Sequence, residues 1–281
     1  MSINRDRENR VMSINQPNYV KAVLAKFGMS DCKPVPTPIE PGVKYSKMAD
    51  GEEGFDVQTY QQAIGCLTYL STSTRPDIST AVNMLSQFMS CPSAVHWVAV
   101  KRILRYLKGT SNHGLVYIGG NNDTLLGYSD ADWAGDVVTR RSTSGYVFQY
   151  GRSSISWCSR RQATVAKSST EAEYVALSIA TQEVIWLRRL FTDLGVDVGA
   201  PTCVTMIFED NQGAIELSKN PKHNRTKHID VSYHFVRERV ASKEVDVRYC
   251  PTEYNVADIM TKGLSKHVYE KFRNCLGVDA I

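Results

Sequence analysis

Carboxylates mark the places in this sequence where chemistry could occur. They are Asp130 and Asp132 in "LLGYSDADWAGD", Glu171 and Glu173 in "SSTEAEYVAL", Glu209 and Asp210 in "MIFEDNQ", and Asp258 in "NVADIM". No cysteine or histidine set accompanies them, so an all-oxygen donor group favours a hard cation, Mg²⁺ or Mn²⁺. Two such ions about 4 Å apart activate a water and stabilise the leaving oxygen of an in-line displacement. That chemistry is phosphodiester hydrolysis. Asp130 and Asp132, two residues apart, face one side of a strand, where like charges repel unless a cation lies between them. A lone D-x-D is also what a polar turn after a strand looks like, and spacing alone leaves both readings open. Asp132 in particular reads first as a turn or supporting carboxylate. Glu171 and Glu173 point about 200° apart on a helix, so only one of them can face a shared site. Glu173 flanks the buried stripe of Ala172, Ala176 and Ile179 in the first turns.

Such acids meet only if the intervening elements bring them together. Residues 113–161 read as short strands: "HGLVYIGG", "TLLGYSDADWA", "SGYVFQYG" and "SSISWCSRR", separated by Gly, Asn and Ser turns. "SSTEAEYVALSIATQEVIWLRRLFTDLG" predicts a long helix, with Ser169 or Thr170 as its cap and Gly195 as its stop. "CVTMIFED" and "EVDVRYCPT" predict strands; "NQGAIELSKN", "HIDVSYHFVRERVAS", "VADIMTKGLS" and "KHVYEKFRNCLG" predict helices. Strands followed by alternating strands and helices imply an α/β (α+β) fold, a mixed sheet covered by helices. Residues 1–118 read instead as mainly helical. "QPNYVKAVLAKFGM", "YQQAIGCLTYLSTST", "RPDISTAVNMLSQFMS" and "AVHWVAVKRILRYLKGT" are amphipathic. The proline-rich stretch from Lys33 to Asp56 breaks them as a loop or linker.

The chain has 281 residues and a net charge of +4, too small a charge by itself to imply nucleic acid. Its distribution is more informative. No acid occurs from Val137 to Thr170, while Arg140, Arg141, Arg152, Arg160, Arg161 and Lys167 do. Lys101, Arg102, Arg105 and Lys108 form a second basic stretch, and Lys219, Lys222, Arg225 and Lys227 a third. Basic stripes beside an acidic cluster suit a polyanion held near a metal, although a solvated basic surface looks the same. Seven scattered cysteines with no C-x-x-C fit a reduced, intracellular protein without structural zinc. No apolar run spans a bilayer, which argues against membrane insertion. Trp97, Trp133, Trp157 and Trp186 are expected in the core.

The motifs "YSDADWAGD", "ISWCSRRQATVAKSSTEAEYVAL", "EDNQGAIELSKNPKHNRTKHIDVSYHFVRE" and "YCPTEYNVADIMTKGL" resemble the ribonuclease H domain of copia-type LTR-retrotransposon Pol polyproteins. Upstream, "QPNYVKAVLAKFGMSDCKPVPTPI" and "SQFMSCPSAVHWVAVKRILRYLKGT" resemble the end of the same element's reverse transcriptase, its thumb and connection. The resemblance implies two domains. Residues 1–118 would be the helical reverse-transcriptase end, and 119–281 a ribonuclease H-like five-stranded mixed sheet covered by helices. It implies metal-dependent hydrolysis of the RNA strand of RNA–DNA hybrids with two Mg²⁺ (or Mn²⁺) ions on Asp130, Glu173, Asp210 and Asp258. It further implies minor-groove contacts from Ser169, Thr170, Asn211 and Gln212, and phosphate contacts from Lys101, Arg102 and Arg105. Helix capping accounts for Ser169 and Thr170 equally well. His228 would act in product release or merely begin a helix.

The polymerase motif Tyr-x-Asp-Asp is absent, so no DNA synthesis is expected of this chain alone. The implied partners are an RNA–DNA hybrid and the rest of the Pol polyprotein. The implied location is the cytoplasm, in a virus-like particle, or the nucleus. The rival readings are a non-cleaving nucleic-acid-binding remnant and an integrase-like D-D-E enzyme, whose acid order this sequence does not match.

Overall fold

The computed structural model describes residues 1–49, 51–120, 124–196, 204–220 and 230–281, without the side chains of 230–233. The chain forms two compact units. One comprises Met1–Gly119, Asp136–Thr139 and Lys262–Ile281; the other comprises Gly120–Gly135 and Arg140–Thr261.

The first unit carries the expected helices. They are α1 (Pro17–Lys26), α2 (Val57–Ser73), α3 (Ser79–Ser86) and α4 (Ala94–Gly109). Local chemistry fixes their starts. Pro17 presets the first turn of α1, and the Asp56 carboxylate accepts from the Thr59 N–H at 2.7 Å before α2. Ser93 and His96 form a reciprocal box at α4. Leu67, Leu70, Ile103, Leu104 and Leu107 fill the core between the helices.

The unit also holds a sheet that the helical reading lacked. The strands β1 (Ser2–Asp6), β2 (Val11–Asn15), β3 (His113–Ile118) and β9 (Val278–Ala280) pair antiparallel in that order. β9 is reached through α8 (Lys266–Cys275), and Leu115 pairs with Val278. At the centre lies a polar knot. Arg75 and Asp77 form a buried ion pair at 2.8 Å. The Tyr106 hydroxyl donates to the Asp77 carboxylate at 2.6 Å, and that of Tyr269, on α8, donates to the Asp77 carbonyl at 2.9 Å. Desolvation at this depth is tolerable only because every group is bonded.

Among its described residues the Lys33–Asp56 stretch has no helix or strand, yet it is no free linker. Arg105 Nε donates to the Lys33 carbonyl at 2.8 Å, and Arg102 bonds Thr37 and Glu40. Phe55 stacks on Trp97 with ring centroids 4.4 Å apart. The stretch is strapped along α4.

The second unit is the expected mixed sheet, in the order β6-β5-β4-β7-β8. Its strands are β4 (Leu126–Asp132), β5 (Thr143–Tyr150), β6 (Ser153–Arg161), β7 (Thr205–Glu209) and β8 (Val245–Tyr249). β4 is central: antiparallel to β5, parallel to β7. Helix α5 (Ser169–Asp193) covers it, with α6 (Gln212–Lys219) and α7 (Asp230–Ala241). Phe148, Tyr174, Leu177, Val184, Ile207 and Val247 form the core. The cap of α5 is Ser168, one residue earlier than expected, because its hydroxyl accepts from the Glu171 N–H at 3.1 Å. "VADIM" is a 3₁₀ turn, Val256–Met260, too short for the helix its pattern suggested. The tryptophans depart from the core expectation. Trp133 and Trp186 are exposed, while Trp97 and Trp157 are half-buried.

Candidate metal centre

Two strand ends, one helix start and one 3₁₀ turn deliver the carboxylates. Asp130 lies near the end of β4, and Asp210 follows β7 directly. These parallel strands run side by side from Leu126↔Met206 to Tyr128↔Phe208, and the acids stand just past the last pair. Glu173 enters from the first turns of α5. Ala131 on β4 packs with Ala166, Ala172 and Ala176, and their small side chains let the helix approach closely. Glu173 accepts a hydrogen bond from the Ala131 N–H. Asp258 arrives on the 3₁₀ turn, beside β5. The turn can lie there because the residue of β5 opposite Asp130 is Gly145. A Cβ at Gly145 would come within 2.7 Å of Met260 Cβ and Thr261 Cγ2.

The outcome is two overlapping groups. Carboxylate oxygens of Asp130, Asp210 and Asp258 lie within 4.8 Å of one another, as do those of Glu173, Glu209 and Asp210. Asp210 belongs to both. Asp130, Glu173, Glu209 and Asp258 are buried, and Asp210 is half-buried. Hydroxyls hold several of them. Thr261 donates to Asp130 Oδ2, Thr252 to Asp210 Oδ2 at 2.6 Å, and Ser129 to Glu209 Oε2 at 2.6 Å.

Burial and mutual charge favour the protonated forms in the cluster. Burial, then the charges of Glu209, Asp130 and Asp210, push the Glu173 carboxyl up to about 11. Burial raises Glu209 as well. Glu173 Oε2 is buried with no hydrogen-bond partner among the described residues. A converging all-carboxylate set with such an oxygen suits a hard divalent cation, which would restore the ionised forms.

The remaining expected residues fall in distinct places. Thr170 and Asn211 come together at the starts of α5 and α6, with Thr170 Oγ1 3.4 Å from Asn211 Oδ1. The Asn211 side chain caps α6 by accepting from the Ala214 N–H at 3.0 Å. Ser169 and Gln212 are exposed in the same first turns. Glu171 turns away to accept from the Lys167 N–H at 3.1 Å. Asp132 is half-buried and in neither carboxylate group. Lys101, Arg102 and Arg105 lie on α4 of the first unit, two of them engaged with the 33–40 stretch. His228 lies outside the described residues. Sequence reasoning counted Glu209 among the acids without placing it in the ligand set, and gave no role to Ser129, Thr252, Asn255 or Thr261. Glu209 had a signal: it alternates with Thr205 and Ile207 on the buried face of β7, an unusual place for an acid.

A mixed sheet whose central strand, neighbouring strand end and crossing helix converge on one carboxylate cluster defines an α/β domain with an all-oxygen donor site. The protein is similar to the retrovirus-related Pol polyprotein from transposon TNT 1-94 of Nicotiana tabacum. The two are 40% identical over 286 residues, which cover 100% of this chain and 21% of that one. The corresponding polyprotein from transposon RE1 of Arabidopsis thaliana is 43% identical over 271 residues, 96% of this chain and 18% of that one. Among solved structures, LC11-RNase H1 in complex with an RNA/DNA hybrid is similar with a TM-score of 0.38 and 15% identity, covering 49% of this chain and 94% of that one. No family model matches. The chain belongs to the copia-type retrotransposon Pol family, and it spans about a fifth of the length of these two Pol polyproteins.

Proposed function

We propose that this segment is the ribonuclease H part of a retrotransposon Pol protein, hydrolysing the RNA strand of RNA–DNA hybrids in a metal-dependent reaction. The observation that carries this reading is the convergence of Asp130, Asp210 and Asp258, from three separate segments, within 4.8 Å, with Glu173 beside them. Asp130, Glu173, Asp210 and Asp258 would hold two Mg²⁺ or Mn²⁺ ions. When bound, such ions supply an activated water and a counter-charge for the leaving oxygen.

The chain's own groups orient and enclose the site. The Thr261 and Thr252 hydroxyls each fix one oxygen of Asp130 and Asp210, so those carboxylates are set before any ligand arrives. The buried alanines next to Asp130 and Glu173 in sequence give that side of the site an apolar neighbour. Ser169, Thr170, Asn211 and Gln212, in the first turns of α5 and α6, would read 2′-hydroxyls across a shallow minor groove. In the first unit, which we read as the end of a reverse transcriptase, Lys101 is the first candidate for phosphate contact. Arg102 and Arg105 would have to give up their bonds to Glu40 and Lys33 to join it.

The test is a gel assay on a labelled RNA–DNA duplex with Mg²⁺, Mn²⁺ or EDTA, beside Asp210→Asn. Cutting of the RNA strand should require the metal. It should fall roughly a hundredfold or more in the variant, the loss of about 3 kcal/mol of transition-state stabilisation. Hybrid binding by a folded wild type that cuts nothing would replace this reading with a binding remnant.

A further inference from the structure

The ladder between β4 and β7 stops one position short of a second contact that carries it onward. Its last pair is Tyr128↔Phe208. The next positions in register are Ser129 and Glu209, and there a side-chain bond succeeds the backbone ladder: Ser129 Oγ donates to Glu209 Oε2 at 2.6 Å. The other Glu209 oxygen accepts from the Asn211 N–H at 3.2 Å. The Ser129 carbonyl in turn accepts from Asn255 Nδ2 at 2.9 Å. Asn255 Oδ1 accepts from the Ala257 N–H at 3.2 Å and so caps the turn that bears Asp258. Ser129, Glu209 and Asn255 are each 0% exposed.

Each member of this chain is next to, or three residues from, one of the expected ligands. Ser129 precedes Asp130, Glu209 precedes Asp210, and Asn255 starts the turn carrying Asp258. We infer that Glu209, Ser129 and Asn255 form a buried clasp that sets the spacing of Asp130, Asp210 and Asp258, and that Glu209 is a positioning residue rather than a metal ligand. Both Glu209 oxygens already have protein donors, unlike Glu173 Oε2. The inference rests on the metal-site reading above and assigns roles inside it.

Charge and geometry can be separated at Glu209. In Glu209→Gln the amide oxygen can still accept from the Asn211 N–H, while the amide nitrogen donates to Ser129 Oγ. The clasp survives and the charge is lost. Glu209→Ala removes both, and Ser129→Ala removes the cross-strand bond with almost no change of volume. The experiment titrates Mn²⁺ into the full chain, followed by its electron paramagnetic resonance signal, with hybrid cleavage measured in parallel. Glu209→Gln should bind Mn²⁺ within about threefold of wild type, whereas Ser129→Ala and Glu209→Ala should bind roughly 10- to 100-fold more weakly. Loss in Glu209→Gln as deep as in Asp210→Asn would make Glu209 a ligand and overturn the clasp. Unchanged binding in a folded Ser129→Ala would overturn it too. A wild type that binds Mn²⁺ without cutting hybrid would remove the nuclease reading and leave the clasp standing. A wild type that binds no Mn²⁺ would remove both.

Discussion

Asp130 on β4 lies directly opposite Gly145 on β5, and the missing side chain of Gly145 is what lets Asp258 reach Asp130. The turn carrying Asp258 crosses β5 at that point, with Met260 Cβ and Thr261 Cγ2 where a Cβ on residue 145 would have to go. Gly145→Ala should therefore displace the turn, by overpacking at a cost of about 1–3 kcal/mol. Thermal melting should show that loss, and Mn²⁺ affinity should fall with it. Wild-type affinity in the variant would mean that Asp258 does not need the close approach.

Asp210 is shared between the two carboxylate groups, whereas Asp258 belongs to one. Asp258→Asn is expected to weaken one of two Mn²⁺ binding steps, and Asp210→Asn both. Isothermal titration of the full chain with Mn²⁺ reads the two steps. Wild-type stoichiometry in Asp210→Asn would refute the shared position.

The metal-free cluster carries its repulsion into the folded state, so a divalent cation should stabilise the second unit. At a Mg²⁺ concentration a hundred times the dissociation constant, linkage gives about 2.7 kcal/mol, visible as a rise in melting temperature that EDTA reverses. Asp210→Asn should melt at nearly the same temperature with and without Mg²⁺.

Asp77 makes a different prediction, on acid stability. Burial raises its carboxyl, but the Arg75 charge and the hydrogen bonds from Arg75 and Tyr106 outweigh burial and hold it below the usual range. A carboxyl lowered by folding contributes stability that is present above its unfolded pKa, about 3.9, and is lost as pH falls through the lower folded value. Asp77→Asn should cost about 3–5 kcal/mol at pH 7, because Arg75 is left buried and unpaired. That cost should shrink below about pH 4, where the wild type loses its own contribution. Urea titrations at pH 7 and pH 3 compare the two. An equal cost at both would show that the ion pair contributes nothing to the pH dependence.

The sequence displayed the acids better than it displayed what holds them. A largely apolar strand that ends in acids, as at Leu125–Asp130 and Met206–Asp210, is readable because a charge stands out there. The resemblance put the acid on Glu173, helical geometry added that only one of Glu171 and Glu173 can face the site, and the structure has Glu171 accept from the Lys167 N–H. Ser129, Thr252, Asn255 and Thr261 left no such trace. They are small polar residues whose function depends on partners 42 to 131 positions away in sequence. The β1–β2 hairpin was hidden for another reason. All five residues of β1 are exposed, so no apolar alternation marks it. The strand β9 has only three residues, and its partner β3 lies more than 160 positions upstream.

That last pairing bears on the order in which the chain can acquire its structure. Residues 262–281 belong with 1–119, and everything the second unit needs lies between them. On a ribosome adding about 5–20 residues per second, roughly 8–30 s separate the emergence of residue 119 from that of residue 281. Through that interval the later-encoded unit can complete itself while the earlier one waits with an open edge on β3 and no Tyr269 to close over Asp77. Of the two units, the one whose residues begin earlier in this chain is therefore the one completed last.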